Sequence, residues 1–303
     1  MHARLLAILV AIGFAAALAQ SAAAHDDQRP HRHPDRNARQ NALPAPRLMQ
    51  QPVQSQPAQA SQCLAIANAV PNVVYANFSA AARRKEEVTI TYAGHSTYYI
   101  DTPDGVSVAT DFSGVYTIGR LPHIATMNRA HSTHYTLSPD PRIQHVLHGW
   151  GEAGQAAKHN LAIGDIYIRN VTTDIRAFRF DSEALQKDAN SIFIFEVAGL
   201  CIGHLGHLHH PLDETHFAAI GRLDILMVPI DGGYTMSVEG MSELTKRLRS
   251  SIVLPMHRFD TPLSEFHRRM GGQFEMEMKP SRSLTVSLGS LPKTPTIIVL
   301  DGV

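Results

Sequence analysis

From residue 88 onward the chain is cut into short β-rich runs, and this limits its fold more than any other feature. The runs fall at 88–92, 97–100, 106–110, 166–171, 191–197, 200–203, 225–229, 252–255 and 296–300. Gly, Pro or Asp punctuates nearly all of them, as at Thr102-Pro103-Asp104-Gly105, which reads as a hairpin loop. Helical patterns fall between the later runs. Over 237–249, Val238, Met241, Leu244 and Leu248 share one face, with Ser237 placed to cap the start. Residues 213–220 and 262–270 are shorter candidates. Strands first and strand–helix alternation later predict an α/β sandwich, not an all-β barrel or a bundle.

The N-terminus has a different texture. Arg4, an apolar stretch over 5–18 and Ala22-Ala23-Ala24 form the pattern of a secretory signal peptide over 1–24, cut before His25. The apolar stretch is short for a bilayer span. Residues 25–62 are rich in Gln, Pro and Ala and nearly free of large apolar residues, so they are expected to form a disordered linker. The folded domain is then expected over 63–303, in a periplasmic or secreted protein. Cys63 and Cys201 are the only cysteines. Export permits one disulfide between them, and two buried thiols are the alternative.

With 27 Lys+Arg against 27 Asp+Glu, the chain lacks the basic footprint of a nucleic-acid binder and has no polybasic patch for a membrane surface. A small molecule is the expected partner. The unusual count is 18 histidines. His131 and His134 lie together, His204, His207, His209 and His210 lie in Gly-His-Leu-Gly-His-Leu-His-His, and His257 ends Leu-Pro-Met-His. Each group follows an expected strand, and in α/β sheets ligands gather beyond the carboxyl ends of strands. Neutral imidazoles brought together there suit a divalent metal, Zn²⁺ first, with Mn²⁺ or Fe²⁺ as alternatives.

The order of these segments resembles the metallo-β-lactamase-fold hydrolases, and within them the ascorbate-6-phosphate lactonase-like branch. The resemblance is carried by VTITYAGHSTYYIDTPDGVSVATD at 88–111, by 190–194, by GHLGHLHHPL, by RLDILMVPIDGG at 222–233 with Tyr234-Thr235-Met236, and by LPMH at 254–257. It implies a four-layer αββα sandwich and a metal site that activates water. The family's Thr-His-x-His-x-Asp-His signature aligns with 128–134, where Arg129 replaces the first histidine and Thr133 the aspartate. A further ligand histidine is missing near Phe178 and Phe180, and His207 stands where the family has a bridging aspartate. An imidazole offers one lone pair where a carboxylate can bridge two cations. The resemblance therefore implies a single metal held by His131, His134, His207 and His257, with His95, Asp111, His204, His209 and His210 as supporting or alternative ligands. Asp231, at a strand end, is the candidate general base or oxygen ligand, and Tyr234 a candidate oxyanion donor or aromatic wall. The expected activity is hydrolysis of an ester, lactone or phosphoester. A descendant that binds a metal or ligand without turnover is the alternative that the lost ligands favour.

Overall fold

The computed structural model describes residues 61–64, 86–152, 155–176 and 185–303. The segment expected to be a signal peptide, nearly all of the expected linker, and Phe178 and Phe180 lie outside the described residues. Those described belong to one compact unit, Ser55–Val303.

Two mixed sheets face each other. The first is built from β1 (Val88–Gly94), β2 (Thr97–Asp101), β3 (Ser107–Ala109), β4 (Ile124–Met127) and β5 (His145–His148). The second begins with β6 (Asn160–Ile163), β7 (Ile166–Arg176), β8 (Leu185–Val197) and β9 (Leu200–His204). It continues through helix α1 (Glu214–Ile220), β10 (Ile225–Pro229), α2 (Val238–Leu248), β11 (Ile252–Met256) and α3 (Leu263–Met270). The chain then contributes β12 (Glu275–Met278) to the second sheet, β13 (Ser283–Val286) to the first and β14 (Thr296–Val299) to the second. Strand order is β13-β1-β2-β3-β4-β5 in one sheet and β12-β14-β11-β10-β9-β8-β7-β6 in the other.

The period of two along each strand sends alternate residues to opposite faces. Tyr98 and Ile100 enter the core between the sheets with Ile90, Ile168, Phe193, Phe195, Met227 and Leu254. Tyr99 points the other way, into a smaller cluster with Ala109, Ala125 and Met127. The outer face of the second sheet is covered by helix residues Met241, Leu244, Phe266 and Met270. Ser237 caps α2 by accepting from the Gly240 N–H, and Asp213 caps α1 through His216. The outer face of the first sheet is covered, among the described residues, by loop side chains: Phe112, Tyr116, Leu121, Tyr135 and Ile143. The α/β sandwich is thus observed, with its helices gathered on one side of the described structure.

All nine β-rich runs and all three helical patterns are present. The elements that pattern reading passed over are short or polar. β12 (Glu-Met-Glu-Met) is exposed along its whole length, and β5 (His-Val-Leu-His) has one buried residue. β5 lacks the alternation that a half-buried strand displays, and β12 alternates Glu with Met over only four residues.

The start of the described domain is fastened twice. Cys63 and Cys201 form a disulfide across 138 residues of sequence, which decides between the bridge and the free thiols. Beside it, Glu196 accepts from the Ser61 hydroxyl and the Gln62 N–H, at 2.5 and 2.7 Å. Glu196 also pairs with buried Arg169 at 2.8 Å, and Arg169 donates onward to the carbonyls of Ala219 and Ile220 at the end of α1. Arg169→Ala would leave a buried carboxylate without its cation and the α1 carbonyls without a donor. Loss of one member of such a pair costs about 3–5 kcal/mol, so urea unfolding of this variant should show a drop of that size.

Candidate metal centre

The parallel strands β3, β4, β9, β10 and β11 end at one edge, and the chemistry-bearing side chains leave from those ends. Asp111 follows β3, the 128–134 segment follows β4, His207 and His209 follow β9, Asp231 follows β10 and His257 follows β11. His95 sits in the tight β1–β2 turn at the same end. Three of these residues adopt left-handed backbone: His95 at φ 53°, Asp111 at φ 42° and His257 at φ 48°. Such conformations cost a non-glycine residue roughly 1 kcal/mol or more and persist where surrounding contacts enforce them. Here the His257 N–H donates to the His95 carbonyl at 2.9 Å, and the Tyr92 hydroxyl donates to the same carbonyl at 3.1 Å.

Four histidines, His95, His131, His134 and His257, offer ligand atoms that all lie within 4.8 Å of one another. His207 packs edge-on against this group, with ring centroids 5.0 Å from His131, 4.8 Å from His134 and 4.9 Å from His257. The Nε2 atoms of His95, His134 and His207 are buried and have no hydrogen-bond partner among the described residues. Buried polar atoms are rarely left unpaired, and such a cluster of orphans calls for a missing partner. His131 Nε2 and His257 Nε2 are 3.4 Å apart. Two nitrogens bound to one tetrahedral ion at about 2.0–2.1 Å would be separated by about 3.3 Å. The donor set therefore fits one divalent cation of the kind imidazole favours.

The outward nitrogens are anchored. His134 Nδ1 meets Asp111 Oδ2 at 2.7 Å, and His257 Nδ1 meets Asp231 Oδ1 at 2.9 Å. A carboxylate can only accept, so each ring carries its proton on Nδ1 and turns a lone pair on Nε2 inward. His131 Nδ1 lies 2.7 Å from the Thr133 hydroxyl, which can donate or accept. Asp111 is fixed by Asn128, whose Nδ2 donates to its Oδ1 at 2.8 Å. Asn128 also accepts the Ser191 N–H at 2.7 Å, which ties the two sheets together at the site. Asn190 plays the matching part for the 205–207 loop, accepting the His207 N–H at 2.7 Å and donating to the Leu205 carbonyl. Between these amides sits Gly206 at φ 61°, where a Cβ would collide with both.

Burial dominates the electrostatics. It pushes His95 down to about 4, with His257 and His131 adding to the effect and Asp111 and Asp231 opposing it. Burial, then neighbouring imidazoles, hold His134 and His207 far below the ordinary histidine range and lower His131. Burial raises Asp111, against the pull of His204 and the Asn128 bond. Burial would raise Asp231 too, but hydrogen bonds from His257, Thr235 and the Gly233 backbone hold its carboxyl well below the usual carboxylate range.

Several expected roles change. Asp231 receives five donors: the N–H groups of Gly233, Tyr234 and Thr235, the Thr235 hydroxyl, and His257. A carboxylate so saturated has no free lone pair for a base or an oxygen ligand, and the geometry makes it the anchor of His257. His204 is no spare ligand, because its Nε2 meets the Ser96 carbonyl at 2.9 Å and its Nδ1 accepts from Gly206 N–H. His210 is taken up by the Asp174 N–H and the Pro211 carbonyl. His209 touches His207 instead of the centre. His95 moves from the periphery into the group. Arg129 is exposed and lines a cleft of about 240 Å³ with Trp150, Gln186 and Lys187, so its side chain does not occupy the ligand position it holds in the alignment. Tyr234 is 58% exposed and packs on Phe259, itself 51% exposed and edge-on to His95 and His257. With Tyr116 stacked on His95, these rings form an aromatic rim. The Tyr234 hydroxyl has no hydrogen-bond partner among the described residues. Asn128, Asn190 and Phe259 are organising residues that the sequence reading did not single out.

With fold and site in place, comparison with known proteins gives the class. A model described as a beta-lactamase superfamily domain matches residues 89–257, more than half of the chain. The chain belongs to that superfamily. A 59-residue segment is 39% identical to a UPF0173 metal-dependent hydrolase of Thermoplasma acidophilum, covering 20% of this chain and 26% of the relative. The same figures hold for a counterpart from Thermoplasma volcanium. The match thus spans about a quarter of the length of these curated relatives. Among solved structures, a Thermotoga maritima protein, a candidate zinc-dependent hydrolase of the metallo-β-lactamase superfamily, superposes with a TM-score of 0.50 at 21% identity. That alignment covers 70% of this chain and 98% of the other, and it supports a fold of the metallo-β-lactamase type.

The depressed histidines set the pH response of the metal-free protein. Above about 6.5 they are neutral both folded and unfolded, and the fold keeps its full stability. As pH falls from 6.5 towards 4, the unfolded chain takes up protons that half-buried His95, His131 and His209 and buried His134 and His207 resist, so stability falls. Asp111, shifted upward, runs the other way but is outnumbered by the depressed histidines. Thermal unfolding in chelator should give a midpoint that declines steadily between pH 6.5 and 4. A flat profile would contradict this account of the cluster.

Proposed function

We propose that this chain is an exported metal-dependent hydrolase that cleaves an ester, lactone or phosphoester with one divalent ion, Zn²⁺ in the first instance. The observation that carries the reading is the convergence of His95, His131, His134 and His257 on one point, with the outward nitrogens of His134 and His257 tied to carboxylates. When bound, such an ion lowers the pKa of a water towards neutrality and polarises the oxygen of the bond to be broken. Asp111 and Asp231 hold the ligand rings in the tautomer that accepts a cation. Tyr116, Phe259 and Tyr234 shield the mouth from water and give the apolar part of a substrate a surface to lie on. The order of segments, from Gly-His-Ser near 95 to Leu-Pro-Met-His at 257, supports kinship with lactonase-like members of the superfamily. The names of the Thermoplasma relatives support the metal-dependent hydrolase class.

Export is supported by the pattern at 1–24 and by the Cys63–Cys201 disulfide, since such bonds persist in oxidising compartments. The mature protein then begins at His25, carries its linker over 25–62 and folds from 63 to 303. The replacement of family ligands by Arg129, Thr133 and His207 favours a second reading, in which the site binds metal without turnover.

Elemental analysis of the exported protein should find one metal per chain. Hydrolysis of a panel of aryl esters, lactones and aryl phosphates should disappear with chelator and return with Zn²⁺. One metal with no turnover on any of these would select the second reading, and two metals would refute the mononuclear site. N-terminal sequencing should begin at His25, and an intact Met1 in a membrane fraction would overturn export.

A further inference from the structure

His207 occupies the centre's wall but is held in a different state from its neighbours. Its Nδ1 lies 2.6 Å from His209 Nε2. His209 Nδ1, in turn, accepts the backbone N–H of Arg176 at 2.6 Å. A backbone N–H can only donate, so His209 Nδ1 must carry its lone pair and His209 Nε2 its proton. That proton points at His207 Nδ1, which must therefore accept. The remaining position, His207 Nε2, then bears a hydrogen, and it is this buried atom that lacks a partner among the described residues. His134 and His257 are set the opposite way by carboxylates, and His131 faces a hydroxyl that permits either tautomer.

We infer that His207 is not a metal ligand but a fixed hydrogen-bond donor, its Nε2–H aimed at the centre to receive an oxygen of the substrate that gains negative charge. His209 is the positioning residue that sets its tautomer, and the Arg176 backbone sets His209. The Arg176 side chain reinforces this by donating to the carbonyls of Gly233, Tyr234 and Thr235, at 2.8–2.9 Å, which holds the strand end against the Asp231 loop. The substitution at this position thus exchanges an anionic bridge for a neutral donor, as hydrolysis of a carbonyl or phosphoryl compound would use. The inference rests on the metal-hydrolase reading for the role of the donor, but the tautomer follows from the hydrogen-bond chain alone.

The test has two parts. Long-range ¹H–¹⁵N spectra of the histidine rings in the wild-type, metal-free protein should show His207 protonated on Nε2, and a proton on Nδ1 would overturn the inference. Zn²⁺ titration by calorimetry should give His207→Gln, which keeps a donor near the Nε2 position, an affinity within about threefold of wild type. His134→Ala should lose about 100-fold or more, beyond the 10–100-fold typical of partners that only orient ligands. A loss in His207→Gln equal to that in His134→Ala would make His207 a ligand and sink the proposal. If wild type binds no Zn²⁺, the metal-hydrolase reading fails, and the ring spectra still decide the tautomer.

Discussion

Everything at the centre depends on what each imidazole does with the nitrogen that faces away from it. A histidine has two ring nitrogens and, when neutral, one proton, so the outward bond decides whether the inward atom is a lone pair or a donor. In this protein those outward bonds are made by groups that leave little choice: the carboxylates of Asp111 and Asp231, and the backbone of Arg176 acting through His209. Burial then prevents the rings from escaping by protonation, since a charged imidazole in this dry wall is strongly disfavoured. Tautomer and burial together turn an excess of histidines into a set with assigned parts.

The sandwich supplies the rigidity that this requires. Parallel strands ending at one edge deliver Asp111, His134, His207, Asp231 and His257 from five different segments, and small errors in any of them would spoil the geometry. Asn128 corrects for this by joining the first sheet to β8 of the second, and Asn190 by joining β8 to β7 and to the 205–207 loop. Each amide uses both its donor and its acceptor, which makes the connection directional as well as tight. The left-handed backbone at His95 and His257 is braced by the bonds that the His257 N–H and the Tyr92 hydroxyl make to the His95 carbonyl. Far from the site, the Arg169–Glu196 pair and the Cys63–Cys201 bridge fasten the first described residues to the second sheet.

The fold was legible because the strands that matter are buried, and burial writes itself as β-branched and aromatic residues between turn formers. β10 and β11 are buried throughout and were bounded to within a residue. β12, with every residue exposed, left no such trace. For the site, the sequence could place His131, His134, His207 and His257 at strand ends, and the structure brings all four to one wall. It could not separate ligands from spares. His204 and His207 are three residues apart in the same Gly-His repeat, yet one is satisfied by the Ser96 carbonyl and the other faces the centre. The partner of His204 lies 108 positions away, while His207 is set by His209 and, through it, by the Arg176 backbone. Asp231 misled for a related reason: a carboxylate at a strand end has the look of a base until the turn after it is seen to fold back and fill every lone pair.

The replacement at 207 is best understood together with those at 129 and 133. A bridging carboxylate is useful when two cations must be neutralised, and each lost ligand weakens the case for a second cation. Arg129 turns outward to its own cleft and Thr133 holds His131, so neither side chain offers a ligand atom to the centre. A carboxylate at 207 would be a further buried anion beside Asp111 and Asp231, whose side chains are already shut off from solvent. A neutral imidazole removes that surplus charge and still presents a polar atom to the centre. The acidic side chains of the centre thus stand behind the rings, Asp111 on His134 and Asp231 on His257, and the inward face is made of neutral imidazole.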